Sequence, residues 1–336
     1  MKTIQYNEYG PPDVLHLQEM KKLVPGESEI IVRVHAVSVN YGDLLARNFK
    51  NTPFQEFNMS GFLWLPVRLA FGWSKPKKRI LGSEFAGEVD AIGTNTIRFK
   101  VGDQVFGYRG QKMGTYAEYL CTPENKTVEK MPTNMSYAEA AVLPYGGLTA
   151  LQLLRKVKIR PGQKMLINGA SGSIGSAAVQ LAKEYGADVT GVCGTPRVEF
   201  VKSLGAIHVI DYTQMDFTEN GEKYDLIFDI LGKSSFKKCK KSLTKNGRYL
   251  LASFKTREIW QMARTSLGSA KKVICALSSE DPADLAVVRD LAEQGKLKSI
   301  VDRQFPMEQA TEAHRYAESG HKKGNVVITM TPDLPS

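Results

Sequence analysis

The sequence predicts a two-domain α/β protein built on a doubly wound parallel sheet. Its length of 336 residues corresponds to about two domains of roughly 150 residues each. From residue 125 to 280, apolar runs of strand length alternate with helical patterns, which is typical of a parallel sheet with helices on both faces. The first 124 residues instead contain short strand-like runs broken by glycines, as in an irregular β-barrel.

The individual elements follow from these patterns. The strands predicted in the central region are Lys164–Asn168, Asp188–Cys193, His208–Ile210, Tyr224–Ile230, Arg248–Phe254 and Lys272–Leu277. The strand-like runs of the first region include Glu29–Val39, Glu84–Ile92 and Gln104–Tyr108. After residue 281 we predict helices over Pro282–Gln294 and Met307–Ser319 and strands over Ser299–Phe305 and Asn325–Met330. Such a tail can pack back onto the N-terminal region, so we predict domains of residues 1–124, 125–280 and, returning to the first, 281–336.

The most informative segment is the strand–turn–helix–strand unit at residues 163–193. A short apolar strand leads into the turn Gly169-Ala170-Ser171-Gly172-Ser173-Ile174-Gly175, and a helix then runs to about Tyr185. Backbone N–H groups at a helix N-terminus attract an anion, and a missing Cβ at Gly172 lets the backbone approach a pyrophosphate. Gly175 suits close helix–strand packing, and Gly186 suits a helix end at positive φ. The unit predicts a dinucleotide site in a Rossmann-type domain.

The end of the second strand of this unit favours NADP(H). NAD-preferring sites usually carry Asp or Glu there, to bind the ribose hydroxyls of the adenosine. This chain has Cys193 at that place and no acid from Val189 to Val198. The hydroxyl of Thr195 and the guanidinium of Arg197 could bind a 2′-phosphate. The alternative is that Arg197 is only a solvated helix residue.

Composition and charge limit which other classes of protein this chain could belong to. The chain is 42% hydrophobic and 24% charged, without the roughly 18 consecutive apolar residues of a membrane span. The N-terminus lacks an apolar signal core, so we expect a cytoplasmic protein. The net charge is +10, and the densest basic run is Lys233–Arg248. We interpret this run as a solvated helix, whose lysines spread over a broad solvent face rather than interleave with stacking aromatics. Nucleic acid is therefore not favoured as a partner.

Residues 53–76 interrupt the N-terminal pattern with a cluster of aromatic side chains. They are Phe54, Phe57, Phe62, Trp64, Phe71 and Trp73, and Lys75-Pro76-Lys77-Lys78-Arg79 follows. One interpretation is an apolar lid or wall near a substrate cleft. A second is a helix packed into the core or a dimer contact. A third, less favoured, is a peripheral contact with a membrane surface.

At this point the chain resembles a known family. The landmarks are Ser38-Val39-Asn40-Tyr41-Gly42-Asp43 with Arg47, Leu81 to Val89, Phe99 to Gly107, Gly114 to Tyr119, Leu143 to Ala150, the glycine turn, Val301 to Pro306 and Glu312 to Tyr316. Together they resemble the zinc-independent medium-chain dehydrogenases/reductases of the quinone oxidoreductase (zeta-crystallin-like) type. The resemblance implies a GroES-like catalytic domain beside the Rossmann-type domain. It also implies a homo-oligomer, either a dimer or a tetramer.

The same resemblance bears on whether this chain can bind zinc. Zinc-dependent relatives have a cysteine where this chain has Asn40 and a histidine where it has Ser83. Amide and hydroxyl oxygens make a poor zinc site, which normally needs thiolate or imidazole ligands. The four cysteines, Cys121, Cys193, Cys239 and Cys275, are too far apart in sequence to suggest another metal cluster. We therefore predict no metal, and hydride transfer to an activated, conjugated acceptor rather than alcohol oxidation.

The implied reaction is hydride transfer from NADPH to a quinone or to the β-carbon of an α,β-unsaturated carbonyl. The candidate catalytic residues are Asn40, Tyr41 and Tyr145, for which a turn or core role is the alternative. The candidate cofactor-binding residues are Asn40, Gly169, Ser171, Gly172, Ser173, Ile174, Gly175, Thr195, Arg197, Tyr212, Phe254, Lys323 and Asn325. Two other functions stay open: reduction of a specific metabolite such as an enoyl thioester, and a crystallin or RNA-binding role that retains NADPH binding.

Overall fold

A computed structural model describes residues 1–53 and 61–330, without the side chains of residues 61–63. Phe54, Phe57 and the side chain of Phe62 in the aromatic segment lie outside this description. The strands are β1 (Lys2–Gln5), β2 (His16–Glu19), β3 (Glu29–Val39), β4 (Glu84–Ile92), β5 (Gln104–Tyr108), β6 (Tyr119–Pro123), β7 (Val128–Lys130), β8 (Lys164–Asn168), β9 (Asp188–Cys193), β10 (His208–Asp211), β11 (Tyr224–Asp229), β12 (Leu243–Leu251), β13 (Lys272–Cys275), β14 (Val301–Pro306) and β15 (Asn325–Thr329). The helices are α1 (Tyr41–Arg47), α2 (Gly61–Phe71), α3 (Tyr137–Ala141), α4 (Leu143–Val157), α5 (Ser173–Glu184), α6 (Val198–Ser203), α7 (Phe236–Cys239), α8 (Thr256–Ser266), α9 (Pro282–Glu293) and α10 (Ala310–Glu318).

The six strands β8 to β13 form one fully parallel sheet in the order β10-β9-β8-β11-β12-β13. The chain moves outward from β8 to β10 and then returns to the other side of β8, so the strand order reverses between β8 and β11. Ligands of doubly wound sheets bind at such a reversal, beyond the carboxyl ends of the strands. The glycine turn follows β8 directly, which places it at this point. The predicted fold class is confirmed.

The glycine turn has the local geometry that its residue types predicted. Gly186 adopts φ +76° just after α5, and Gly169 adopts φ +95° just after β8. A Cβ built on Gly175 would lie 2.1 Å from the carbonyl oxygen of Gly169, so only glycine lets α5 pack this close to the turn. These residues fix the start of α5 against the end of β8.

A second sheet combines the N-terminal and C-terminal parts of the chain. Its seven strands run in the order β14-β15-β3-β4-β5-β7, with β6 pairing onto β3. β15 pairs antiparallel with β3 and places Val326 opposite Val39. β7 pairs with β5, so this sheet extends past the boundary predicted at residue 124. The division into residues 1–124, 125–280 and 281–336 stays a prediction.

The basic run Lys233–Arg248 does not form the predicted helix. α7 has four residues, a short 3-10 turn follows at Lys240–Ser242, and β12 begins at Leu243. The buried side chain of Leu243 joins the apolar core beside Tyr224 and Tyr249, and its backbone pairs with Tyr224 of β11. This tertiary packing draws the second half of the run into the sheet, which the lysine pattern alone could not indicate.

A buried arginine anchors α1, the helix that begins beside Asn40. Arg47 is 1% exposed; its Nε donates to the carbonyl of Gly10, and its guanidinium also donates to Nδ1 of His314 (2.8 Å) and to the carboxylate of Glu318. Burial and this cation lower the pKa of His314, which therefore accepts as a neutral imidazole. α1 is thereby fixed to α10 of the C-terminal segment. Among the described residues, no helix has the length and apolar character needed to span a membrane.

Candidate active site

A small apolar pocket lies beside the start of α1. Its volume is about 190 Å³. The lining residues are Asn40, Gly42, Leu45, Ala46, Phe49, Val67, Phe71, Ser83, Tyr108, Gly110, Gln111, Met113 and Tyr145. Most of the lining is hydrocarbon, with a few polar groups, which is typical of a site for a small apolar ligand. The pocket brings Asn40 and Tyr145 together. Tyr41 does not line it and is 54% exposed.

Asn40 is held in place by a buried carboxylate that the sequence interpretation did not single out. The Nδ2 group of Asn40 donates to Oε2 of Glu84 (2.5 Å) and to Oγ of Ser38 (2.7 Å). Ser38 Oγ also donates to Oε2 of Glu84 (2.5 Å), and the backbone N–H of Tyr145 donates to Oε1 (2.5 Å). Through these hydrogen bonds, Glu84 at the start of β4 links the end of β3 to the start of α4.

Glu84 is completely buried, and this burial raises its pKa from 4.5 to about 7. The hydrogen bonds from Ser38, Asn40 and the Tyr145 N–H favour the charged form and oppose that rise. The network can thus hold either protonation state near neutral pH. In the sequence, Glu84 lies within the Leu81 to Val89 landmark of the family, directly after Ser83.

Asp43 fixes the loop that carries Asn40. Its two carboxylate oxygens accept from the backbone N–H groups of Asn40 (2.9 Å) and Gly82 (2.9 Å). Burial raises the pKa of Asp43 to about 7, and the nearby charge of Glu84 adds to the rise. Because Asp43 does not line the pocket, it positions the backbone around the pocket and does not reach a ligand there.

Two phenols line the pocket side by side. The ring centroids of Tyr108 and Tyr145 lie 6.0 Å apart. Burial raises the pKa of Tyr145 to about 12, and the charges of Glu84 and Asp43 add to the effect. Burial also raises the pKa of Tyr108. Both side chains are therefore protonated hydrogen-bond donors at neutral pH, and Tyr108 joins the candidates that the sequence indicated.

The glycine turn has an open face toward solvent. Gly172 is exposed, and a Cβ built on it would lie 3.7 Å from its nearest neighbour, the carbonyl oxygen of Gly169. The first backbone N–H groups of α5 begin at the next residue, Ser173. The Oγ of Ser173 is buried without a hydrogen-bond partner in the structure. An exposed turn, a helix N-terminus and an unpaired hydroxyl together suit a pyrophosphate.

The C-terminal segment closes over this turn. Asn325 and Ser299 lie around the same narrow gap as Ser173, and the Oγ of Ser299 is also buried without a partner. The Nδ2 of Asn325 donates to the carbonyl of Ile300. Lys323 is exposed, and its backbone N–H donates to Asp302. Phe254 lies instead at a separate hollow of about 330 Å³, with Ser253 and Arg257.

Thr195 lies beside an acid that the sequence interpretation did not anticipate. Its hydroxyl donates to Oδ2 of Asp211 (2.5 Å), and Asp211 lies opposite Cys193 in the β9–β10 pairing. Hydrogen bonds from Thr195, Thr213 and Gln214 lower the pKa of Asp211, so the group is a carboxylate. Tyr212 is exposed and approaches Gly194. A negative charge therefore stands close to the predicted 2′-phosphate position.

Arg197 is half-buried and is hydrogen-bonded to the C-terminal segment. Its Nε donates to the carbonyl of Lys322 (3.0 Å), and its Nη2 donates to the carbonyl of Gly320. The side chain thus links the start of α6 to the loop before β15. Burial lowers the pKa of Lys322, and the Arg197 charge contributes. The amine of Lys322 and the guanidinium of Arg197 therefore lie close together.

The residues at the places where zinc-dependent relatives carry their ligands do not suit zinc. Asn40 and Ser83 offer an amide and a hydroxyl, and Glu84 is occupied by three hydrogen bonds. Within residues 1–53 and 61–330, no group of three or more His, Cys, Asp or Glu side chains could hold a metal ion. This donor set lacks the thiolate and imidazole ligands that zinc prefers.

Comparison with known proteins identifies the class of this fold and site. Residues 26–133 match the family described as alcohol dehydrogenase GroES-like domain, and residues 204–328 match the one described as zinc-binding dehydrogenase. Quinone-oxidoreductase QR1, chloroplastic, of Triphysaria versicolor is 32% identical over 98% of this chain and 98% of its own length. NADPH-dependent alkenal/one oxidoreductase, chloroplastic, of Arabidopsis thaliana is 30% identical over 99% of this chain and 80% of its own.

Solved structures agree with this class. The quinone oxidoreductase from Coxiella burnetii superposes with a TM-score of 0.84 at 28% identity, covering 98% of this chain and 99% of its own. The protein is thus an oxidoreductase with a GroES-like domain and a parallel dinucleotide-binding sheet. The chain belongs to the quinone oxidoreductase type of the medium-chain dehydrogenase/reductase family, which binds a nicotinamide cofactor.

Proposed function

We propose that this oxidoreductase transfers hydride from NADPH to a quinone or to the β-carbon of an α,β-unsaturated carbonyl, without zinc. The observation that carries the proposal is the apolar pocket, which offers neutral phenol and amide groups where zinc-dependent chemistry would need metal ligands. A conjugated acceptor needs no metal to accept hydride, because its own π-system delocalises the charge that develops. The bound nicotinamide supplies the hydride.

The polar groups of the pocket have defined tasks in this proposal. Glu84 orients the Asn40 amide at the wall of the pocket, and Tyr145 and Tyr108 donate hydrogen bonds to the acceptor oxygen as it gains charge. A neutral donor aimed at a developing oxyanion in an apolar surrounding is an effective stabiliser. Protonation of the product then comes from one of the phenols or from water. Tyr41 stays a weaker proposal, since it lies outside the lining.

The proposed cofactor site combines the glycine turn, the start of α6 and the C-terminal loop. The residues proposed to hold NADPH are Gly169, Ser171, Gly172, Ser173, Ile174, Gly175, Thr195, Arg197, Tyr212, Phe254, Lys323 and Asn325, with Asn40 at the nicotinamide end. The cations of Arg197 and Lys322 support a 2′-phosphate, and one relative carries NADPH in its name. The carboxylate of Asp211, beside Thr195, would repel that 2′-phosphate. The preference for NADPH is therefore a balance between neighbouring charges of opposite sign.

That balance can be measured with two variants, one that removes a positive charge and one that removes a negative charge. Fluorescence titration should give a lower Kd for NADPH than for NADH in the natural protein. Arg197→Ala should raise the Kd for NADPH by about tenfold and change that for NADH much less, because a hydrogen bond to a charged group contributes roughly 1.5–3 kcal/mol. Asp211→Asn should lower the Kd for NADPH. Equal affinities of the natural protein for the two cofactors would contradict the proposal.

The acceptor class is tested by following NADPH oxidation with quinones, enones, enals and enoyl thioesters. We expect turnover with small apolar quinones or enones, and exclusive turnover of an enoyl thioester would replace this assignment with a metabolite-specific reductase. An RNA-binding role would show affinity that falls steeply with salt. A dimeric or tetrameric state and a cytoplasmic location are proposals that ultracentrifugation and cell fractionation can test.

A further inference from the structure

The helix α2 has an unusual outer face. Seen along the helix, Val67, Arg68 and Phe71 turn toward the protein, while Leu65, Pro66, Leu69 and Ala70 are exposed. The exposed fractions are 52% for Leu65 and 56% for Leu69. A helix on a water-facing surface normally carries charged or polar residues on its outer side. The outer side of α2 carries none at these four positions, and Trp73, just beyond the helix, is 58% exposed.

The inner face of α2 is firmly attached. The Arg68 guanidinium carbon lies 5.2 Å from the ring centroid of Phe49, 5.7 Å from that of Trp64 and 5.2 Å from that of Trp73. Its Nη2 also donates to the carbonyl of Trp73 (2.8 Å). These contacts hold the helix and Trp73 as one unit, so the apolar outer face is a fixed feature of the surface.

Cations follow this face along the chain, and one of them contacts α2. Lys75, Lys77 and Arg79 are exposed and follow Trp73 within six residues. Lys77 lies against the end of α2, since its Nζ donates to the carbonyl of Leu69 (2.9 Å). We call the combination of Leu65, Pro66, Leu69, Ala70 and Trp73 with these three cations the α2 surface. An apolar patch beside Lys and Arg is typical of a protein face that rests on anionic lipid.

The same helix forms a wall of the candidate active site. Val67 and Phe71 line the apolar pocket from their side of α2, and the exposed leucines lie on the opposite side. The width of α2 therefore separates the pocket from the α2 surface. An acceptor that leaves a membrane under this surface would reach the protein close to the pocket.

We propose that the α2 surface docks on an anionic membrane and that the acceptor is a membrane-partitioned quinone or enal that enters the pocket beside α2. The second half of the proposal rests on the proposed function. A membrane explains the outer face better than a second copy of this chain does. A twofold contact through this face would bring the cations of both copies together, whereas anionic headgroups complement them.

Docking is tested by vesicle flotation of the full-length protein, with no cofactor or acceptor present. Vesicles of phosphatidylcholine with phosphatidylglycerol should carry the protein upward, and pure phosphatidylcholine should carry less. Leu69→Glu should lower the partition coefficient by about tenfold or more, because an exposed leucine that enters lipid contributes roughly 1.5 kcal/mol or more. The matched control is Ile97→Glu, which alters an aliphatic residue 90% exposed on the loop after β4, outside the α2 surface. Lys75→Gln with Arg79→Gln should lower anionic binding by roughly fivefold per charge.

Turnover assays distinguish a failure of membrane docking from a failure of the proposed reaction. Leu69→Glu should keep the natural rate with a water-soluble quinone and lose most of the rate with a long-chain quinone held in anionic vesicles. Absence of flotation, or equal flotation of Leu69→Glu and the natural protein, would overturn docking. A dimer that Leu69→Glu dissociates, without any vesicle binding, would assign the surface to a second copy. Flotation without turnover of any quinone or enal would keep docking and reject the proposed function.

Discussion

Replacing Glu84 by glutamine should remove a pH-dependent cost from the folded protein. The carboxyl group is fully buried, and burial raises its pKa from 4.5 to about 7. The folded state therefore holds the Glu84 proton more tightly than the unfolded state does. It follows that the contribution of Glu84 to stability is greatest below pH 4.5 and is lost as pH rises toward 7.

The rise in the pKa of Glu84 gives the size of its effect on the free energy of unfolding. A difference of about 2.5 units between 4.5 and 7, at 1.36 kcal/mol per unit, corresponds to about 3 kcal/mol in the free energy of unfolding. Glu84→Gln lacks this titration. Its stability relative to the natural protein should therefore rise by up to about 3 kcal/mol between pH 4.5 and pH 8.

Urea unfolding of both proteins at pH 5 and pH 8 measures the effect. Glu29→Gln is a control of opposite sign, because hydrogen bonds from the Cys121 thiol and the Gly26 N–H lower the pKa of Glu29. That variant should lose stability relative to the natural protein as pH rises toward about 5, and the difference should change little between pH 5 and pH 8. If the stability difference between Glu84→Gln and the natural protein is the same at both pH values, the reasoning about the buried network is wrong.

Three further predictions concern the turn and the pocket. Gly175→Ala should destabilise the protein by about 2 kcal/mol or more in urea unfolding, since its Cβ would lie 2.1 Å from the Gly169 carbonyl oxygen. Gly172→Ala, whose Cβ meets nothing closer than 3.7 Å, should change stability by less than about 1 kcal/mol yet weaken NADPH binding in titrations, and unchanged binding would contradict the pyrophosphate position. Tyr145→Phe should lower kcat with enones by roughly tenfold to a hundredfold and leave the Kd for NADPH unchanged in steady-state and binding assays. Full activity of this variant would transfer the donor role to Tyr108 or to water.

The sequence predicted the elements whose signals are local. The strands at Lys164–Asn168 and Asp188–Cys193 and the glycine turn between them depend on apolar runs and residue conformation, and all three are confirmed. The second half of the basic run Lys233–Arg248 was predicted wrongly because a helical lysine pattern competes with the burial of Leu243 in the sheet. In this segment, tertiary packing rather than the local sequence pattern determines the secondary structure.

The contacts of the candidate site were less predictable, since they join residues far apart in the chain. Glu84 meets Asn40 and Tyr145 only after β3, β4 and α4 have come together. Arg197 reaches the carbonyls near Lys322 across 125 positions of sequence. The neighbourhood of Thr195 and Asp211 depends on the register of β9 and β10. Sequence identified the residue types that a cofactor needs, while the packing determines which charges balance them.

The most direct test of the central claim follows the hydride itself. The protein is given NADPH deuterated at C4 of the nicotinamide, in both stereochemical forms, together with a small apolar enone, and the product is analysed by NMR. Conjugate reduction predicts a saturated ketone with one deuterium at the carbon that was β to the carbonyl, from one of the two forms. Deuterium on a carbinol carbon would show direct carbonyl reduction and would contradict the account.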